Sequence, residues 1–392
     1  MRTVPLKRFA QGGGLFTDGD WIESPYITDS GTRLIQTGNV GIGEYREKGG
    51  RFVSHDTFQA LRCTEVLPGD LLICRLADPV ARSCLAPDLG VRMITSVDVA
   101  ILRPRRHSAD HRFLNYWCSS RPHLELGESI ARGGTRQRIS REQLGEMPVP
   151  DIPLPEQRAI ADYLDAETAR IDALITKKQE IIHLLEERWI GRRGSLVLQG
   201  LQPTDGSGAR LPAWEYPKLG VLIGLQRGHD LPTDLRRPGS VPIVSSGGVS
   251  GLHDTSVASP PGVVTGRYGT VGEVFFIEEE YWPLNTTLYV SEFRGNEPRW
   301  VAFLLESLPL DAESDKSAVG GINRNVIGDL RVPKPPLVEQ RSMASELLRT
   351  KNNIEAAQRA LSLQVHLLRE RRKSIITEAV TGSRSSDLKV AR

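Results

Sequence analysis

Two stretches of the 392-residue chain carry apolar residues at heptad-like spacing. The first runs through Leu164, Ile171, Ile175, Ile182, Leu185 and Trp189; the second runs through Leu347, Ile354, Leu361, Val365, Leu368 and Ile375. That period puts one apolar stripe on a helix. Prolines at 150, 153 and 155 forbid helix before Glu156, and Pro153 or Pro155 suits a helix start. Glu156 and Glu339 fall in the first turns, where the helix dipole favours negative charge. The next helix breakers are Gly191 in one stretch and Gly382 in the other. Each stretch therefore predicts a helix of about 35 residues, a rod of roughly 50 Å. Charge flanks both stripes, so the simplest way to bury them is helix against helix.

The segments before each helix have a different pattern. Short β-branched and aromatic runs, such as Val263-Val264-Thr265 and Val274-Phe275-Phe276-Ile277, are split by Gly, Pro and Asp turns. The expected class is α+β. The order is globule (1–152), long helix (153–200), globule (201–335), long helix (336–383) and a disordered tail (384–392).

The two halves are copies. Pro153-Leu154-Pro155-Glu156-Gln157-Arg158 returns 183 residues later as Pro336-Leu337-Val338-Glu339-Gln340-Arg341. Held at that offset from Ile139 to Arg188, about 19 of about 50 positions are identical. They include Ile139/Ile322, Arg141/Arg324 and His183-Leu184-Leu185 against His366-Leu367-Leu368. Upstream of that edge the globules share little sequence, as expected for two versions of one job.

Composition adds limits. The net charge is +2, so charge alone does not point to nucleic acid. The second globule is acidic, about −4, which leaves phosphate contact to a small patch or to a partner. Arginine outnumbers lysine about four to one, which suits bidentate phosphate and guanine contacts and equally fits a GC-rich genome. Cys63, Cys74, Cys84 and Cys118 lack zinc-ligand spacing and read as reduced, partly buried thiols. His55, His107, His111 and His123 show no ligand spacing either, and His183 and His366 read as packing or interface residues. No methyltransferase Asn-Pro-Pro-Tyr/Phe element and no phosphate loop is present. With no secretory signal and no run of about 18 apolar residues, a cytoplasmic location is expected.

The chain resembles the specificity subunits of Type I restriction–modification systems. Pro-Leu-x-Glu-Gln-Arg opening a long helix, twice, carries the resemblance, together with the ending Thr377-Glu378-Ala379-Val380-Thr381-Gly382. The first copy departs from that ending at Ser195-Leu196-Val197-Leu198. Ile35 to Val40 and Leu67 to Arg75 look like first recognition domains; Val244 to Gly248, Thr265 to Gly272 and Trp282 to Tyr289 look like second ones. Trp214, Lys218 and Leu219 look like the entry to a recognition domain. The resemblance implies two target-recognition domains and an antiparallel coiled coil. It further implies no catalysis in this chain and a bipartite, asymmetric DNA target with an unread spacer. The implied partners are double-stranded DNA, two methyltransferase subunits and motor–nuclease restriction subunits. S-adenosylmethionine, ATP and Mg2+ would sit on those partners, and the chain itself would hold no cofactor and no metal.

Base reading needs donors and acceptors on loops that enter a groove. The candidates are Gln36, Thr37, Asn39, Arg75, Thr135, Arg136 and Arg138 in the first globule. In the second they are Ser245, Ser246, Arg267, Tyr268, Asn323 and Arg324. Glycine–polar loops of this kind are equally solvated turns, and Arg141 and Arg324 can equally anchor a helix to its globule. The run Arg369 to Lys373 equally serves a helix C-terminus or DNA. The helix–helix and partner interface is expected to use Leu164, Ile171, Ile182, Leu185, Leu347, Ile354, Leu361 and Leu368. Two other function classes stay open: a coiled-coil scaffold that binds only protein, and a degenerate nuclease or methyltransferase.

Overall fold

The computed structural model describes residues 2–76, 79–131, 137–199, 214–268, 270, 272–310 and 321–382. They fall into two compact units, Met1–Lys177 with Leu363–Arg392, and Lys178–Ser362. Each unit thus holds one globule, the first part of the long helix that follows it, and the last part of the other long helix.

In the first unit a four-stranded antiparallel sheet runs Leu15–Asp18, Val99–Arg103, Leu71–Cys74, Ser83–Leu85. Its central strands are buried on both faces. Leu71, Ile73, Ala100 and Leu102 join the core that includes the helix His111–Cys118, while Leu72, Cys74, Val99 and Ile101 pack with Ile35 and Val40. Double burial explains why Leu71-Leu72-Ile73-Cys74 is a continuous apolar run without alternation. A second sheet, Ile27–Thr28, Phe52–Val53, Thr32–Ile35, Met93–Thr95, ends in a parallel pair.

The second unit repeats this plan. Its main sheet runs Gly224–Arg227, Thr287–Glu292, Gly262–Gly266, Val274–Ile277, and its smaller sheet pairs Val241–Ser245 in parallel with Trp282–Pro283. Val263, Leu288 and Val290 face the helix Pro298–Glu306, and Val264 and Tyr289 face the other way. Two globules of little shared sequence therefore have one topology.

The long helices run Leu154–Gln199 and Leu337–Thr381, 46 and 45 residues. Both are longer than a rod of about 35 residues and lie within the expected bounds 153–200 and 336–383. The first passes through Gly191 and Gly194, because Leu196 and Val197 beyond them are buried in the second unit's core. That burial outweighs the roughly 1 kcal/mol that each glycine costs a helix. In the second unit Ile182 faces Gln358 and Arg192 pairs with Glu346, so the two helices run antiparallel there. In the first unit Arg372 pairs with Asp172 at 3.0 Å. Of the expected interface residues, Leu164, Ile171 and Leu347 are buried; Ile182, Leu185, Ile354, Leu361 and Leu368 are half-buried. His183 and His366 are exposed, and His183 lies 3.3 Å from Glu187.

The repeated motif has a structural job. Each long helix begins with a buried glutamine whose side chain ties it to its globule: Gln157 to the Asp110 N–H and Gln340 to the Glu297 N–H. Arg112 adds ion pairs to Asp162 and Asp165 at 2.8 and 2.6 Å. The four cysteines are free and buried, and burial pushes the thiols of Cys84 and Cys118 up to about 12. Among the described residues, no helix is long and apolar enough to cross a membrane.

Candidate functional site

Backbone hydrogen bonds align the two units residue by residue. Gly19 and Gly228 donate to the carbonyls of Val99 and Thr287. Arg75 and Arg267 donate to those of Asp98 and Thr286, and in turn accept from Ile139 and Ile322 at 3.0 and 2.9 Å. Ser96 and Leu284 donate to Ile35 and Val244. The corresponding positions are therefore Asp18 and Arg227, Arg75 and Arg267, Asp98 and Thr286, Arg141 and Arg324. Gln36-Thr37 likewise corresponds to Ser245-Ser246. Most of the candidates picked from sequence thus lie at one corner of the fold, met twice.

In the first unit this corner is closed on itself. Arg75 is 5 % exposed. Its Nε lies 3.0 Å from Asp18 Oδ1, a charge contact not aligned for a hydrogen bond, and its other nitrogens donate to the carbonyls of Ile139 and Val97. Burial pulls the Arg75 guanidinium down from its ordinary value, and Asp18 opposes that pull. A buried guanidinium of this kind needs such a counter-charge. Arg141 reaches the same carboxylate at 3.8 Å, and Arg138 pairs with Asp98 at 2.7 Å. Arg75 and Asn39 are given to the fold. Asn39 is 2 % exposed and its amide donates to the carbonyls of Arg46 and Lys48. Arg82 braces the same loop by donating to the carbonyls of Thr37 and Val40. Gln36 and Thr37 remain half-buried at its edge. Thr135 and Arg136 lie outside the described residues.

In the second unit the same corner is an open cleft of about 450 Å3 lined by Arg227, Arg267, Tyr268, Asn323 and Arg324. Asp18 has become Arg227 and Asp98 has become Thr286, so neither carboxylate of the first unit's corner is repeated at its corresponding position. Among the described residues none of these three arginines has an ion-pair partner. Arg267 stacks on the ring of Tyr268, 4.5 Å from its centroid. The ring fits because the neighbouring position is Gly321: a Cβ there would stand 2.2 Å from the Tyr268 ring. The Asn323 side chain accepts the Asn325 N–H and starts the short helix Arg324–Asp329, as Ser140 starts Arg141–Glu146 in the first unit. The Ser245 hydroxyl donates to the Gly248 carbonyl and closes its hairpin, leaving Ser246 next to Gly266.

Arg227, Asp18 and Asp98 were missed in the sequence. Each is a single charged residue at a strand end or turn, and its meaning comes only from the neighbouring strand. Among the described residues, no group of three His, Cys, Asp or Glu side chains is placed to hold a metal ion.

No family profile and no curated protein matches this sequence. Solved structures do match it in fold. A chain from a study of complex assembly and conformational transition in a type I R-M system superposes with a TM-score of 0.75. It is 16% identical, and the match covers 97% of both chains. The HsdS subunit from Thermoanaerobacter tengcongensis gives a TM-score of 0.57 at 18% identity, covering 97% of this chain and 96% of that one. The fold of this chain is thus that of the HsdS subunit: two α+β units and two long helices that pair antiparallel.

Proposed function

We propose that this protein is the non-catalytic DNA-reading subunit of a type I restriction–modification complex. Each unit reads one half of an asymmetric, bipartite target, and the helix pair sets the unread spacer between the halves. The observation that carries this reading is the doubled corner. One frame is used twice, and the side chains that differ between its copies lie on loops at the same strand ends, as expected for a shared reader with two specificities.

The chemistry belongs to partners. Two methyltransferase subunits with S-adenosylmethionine, and restriction subunits with ATP and Mg2+, dock on this chain in the cytoplasm. Apolar side chains left exposed on the long helices support such docking, among them Leu184 at 59 %, Ile190 at 53 % and Leu367 at 56 %.

The test is co-expression with a methyltransferase subunit from the same genome, followed by mapping of methylated adenines. The expected result is one bipartite motif with a constant spacer, lost when either globule is exchanged. A single contiguous motif, or methylation unchanged by exchanging a globule, would overturn the reading.

A further inference from the structure

The two corners share a frame and differ in charge. In the first, Arg75, Arg138 and Arg141 are answered by Asp18 and Asp98. In the second, the place of Asp18 is taken by a third cation, and Arg227, Arg267 and Arg324 line one cleft. Three arginines line about 450 Å3 without an ion-pair partner among the described residues, so the cleft offers its charge to an anion. The stack of Arg267 on Tyr268 holds one guanidinium in place, and Gly321 leaves room for that stack. A planar guanidinium fork suits the oxygens of a phosphodiester. The surrounding globule is acidic overall, so a local cationic cleft is where a phosphate would be held.

We infer that this cleft clamps a backbone phosphate of duplex DNA, and that the corresponding place in the first unit, where two carboxylates already hold the three arginines, does not. The inference rests on the DNA-reading function proposed above and adds an asymmetry to it. The second unit contributes salt-dependent grip at this corner, while the first contributes none there. A free phosphate ion is the other source of the same chemistry.

The experiment uses the full chain in complex with its methyltransferase subunit and a random-sequence 30-base-pair duplex, with affinity measured from 50 to 300 mM KCl. Arg227→Gln, Arg267→Gln and Arg324→Gln are compared with Arg138→Gln, the paired arginine of the first unit. Each second-unit variant is expected to make the slope of log affinity against log salt shallower by about one, with a several-fold weaker affinity at 100 mM. Arg138→Gln is expected to leave the slope as it is. Thermal unfolding of each variant identifies any that fail to fold; Arg227→Lys, which keeps the charge, is expected to retain the slope. An unchanged slope in all three folded Gln variants would overturn the inference and leave the DNA-reading function standing. A complex that binds no DNA at any salt would sink that function as well. If inorganic phosphate raises the unfolding temperature of the wild type but not of the Gln variants, while the DNA slopes stay equal, the ligand is a free anion and the DNA assignment is wrong.

Discussion

The side-chain carbonyl of Gln340 accepts the backbone N–H of Glu297 at 2.8 Å, and Gln157 does the same for Asp110 at 3.0 Å. Each amide then donates to a carbonyl just before its own helix, Pro335 or Ile152, at 2.9 Å. Both glutamines are 2 % exposed. The one motif repeated in the sequence is thus a pin between a globule and its long helix. Replacing either glutamine by Leu strands a buried N–H and a buried carbonyl, at about 1–3 kcal/mol of stability each. Urea unfolding would measure it; a loss near zero for both would mean that the pin does not hold the helix.

The end of the first long helix offers a second check. Arg193 pairs with Glu306 at 2.9 Å, donates to the Glu306 carbonyl at 2.8 Å and lies over Trp189. Beyond it, Leu196 is 1 % exposed. Leu196→Ala is expected to cost about 2–5 kcal/mol, as for other buried leucines. Arg193→Ala leaves the largely buried Glu306 with only Lys351, at 3.5 Å, as its cation among the described residues and should cost about 1–3 kcal/mol. If Leu196→Ala were neutral, the helix would not dock past its two glycines.

His123 gives the first unit a pH dependence. It is 1 % exposed, neither ring nitrogen makes a well-formed hydrogen bond, and burial pushes its pKa down to about 4, a fall the Ala81 backbone only partly opposes. The folded state therefore holds neutral histidine where the unfolded chain, with a pKa near 6.5, takes up a proton. The stability is complete above about pH 6.5, declines as the pH drops toward 4, and is level below that. The full span is on the order of 3 kcal/mol, of which roughly 2 is lost by pH 5. His123→Met should remove this part of the acid sensitivity. Unfolding midpoints at pH 7.5 and pH 5 test it, and an equal drop in wild type and variant would count against His123 as the source.

Gly321 and Tyr268 should be coupled. Gly321→Ala forces the Tyr268 ring out of its place over the backbone and breaks its stack with Arg267. The expected cost in wild type is about 1 kcal/mol, and a smaller cost remains when Tyr268 is already Ala, because the new Cβ still stands 3.1 Å from the Arg267 carbonyl oxygen. A double-mutant cycle by thermal unfolding reads the difference, and strictly additive effects would refute the coupling.

Much of the architecture is written in local pattern. Heptad stripes, the prolines before each helix, the repeated Gln157 and Gln340 motif and the short β-branched runs all act through neighbours in sequence, so they could be read directly. The equal topology of the two globules was hidden, because a buried strand such as Leu71–Cys74 accepts any apolar side chains of fitting size. The run of the first helix through Gly191 toward its expected end near residue 200 is held by a distant core, against local propensity. Charge was the least legible. Arg75 and Arg267 look alike in sequence, both at the end of an apolar strand. Only the strand beside them, ending in Asp18 in one unit and Arg227 in the other, makes one a buried ion pair and the other part of an open cationic cleft. Coulomb interactions depend on distance in space, and the pairing of those strands exists only in the folded chain.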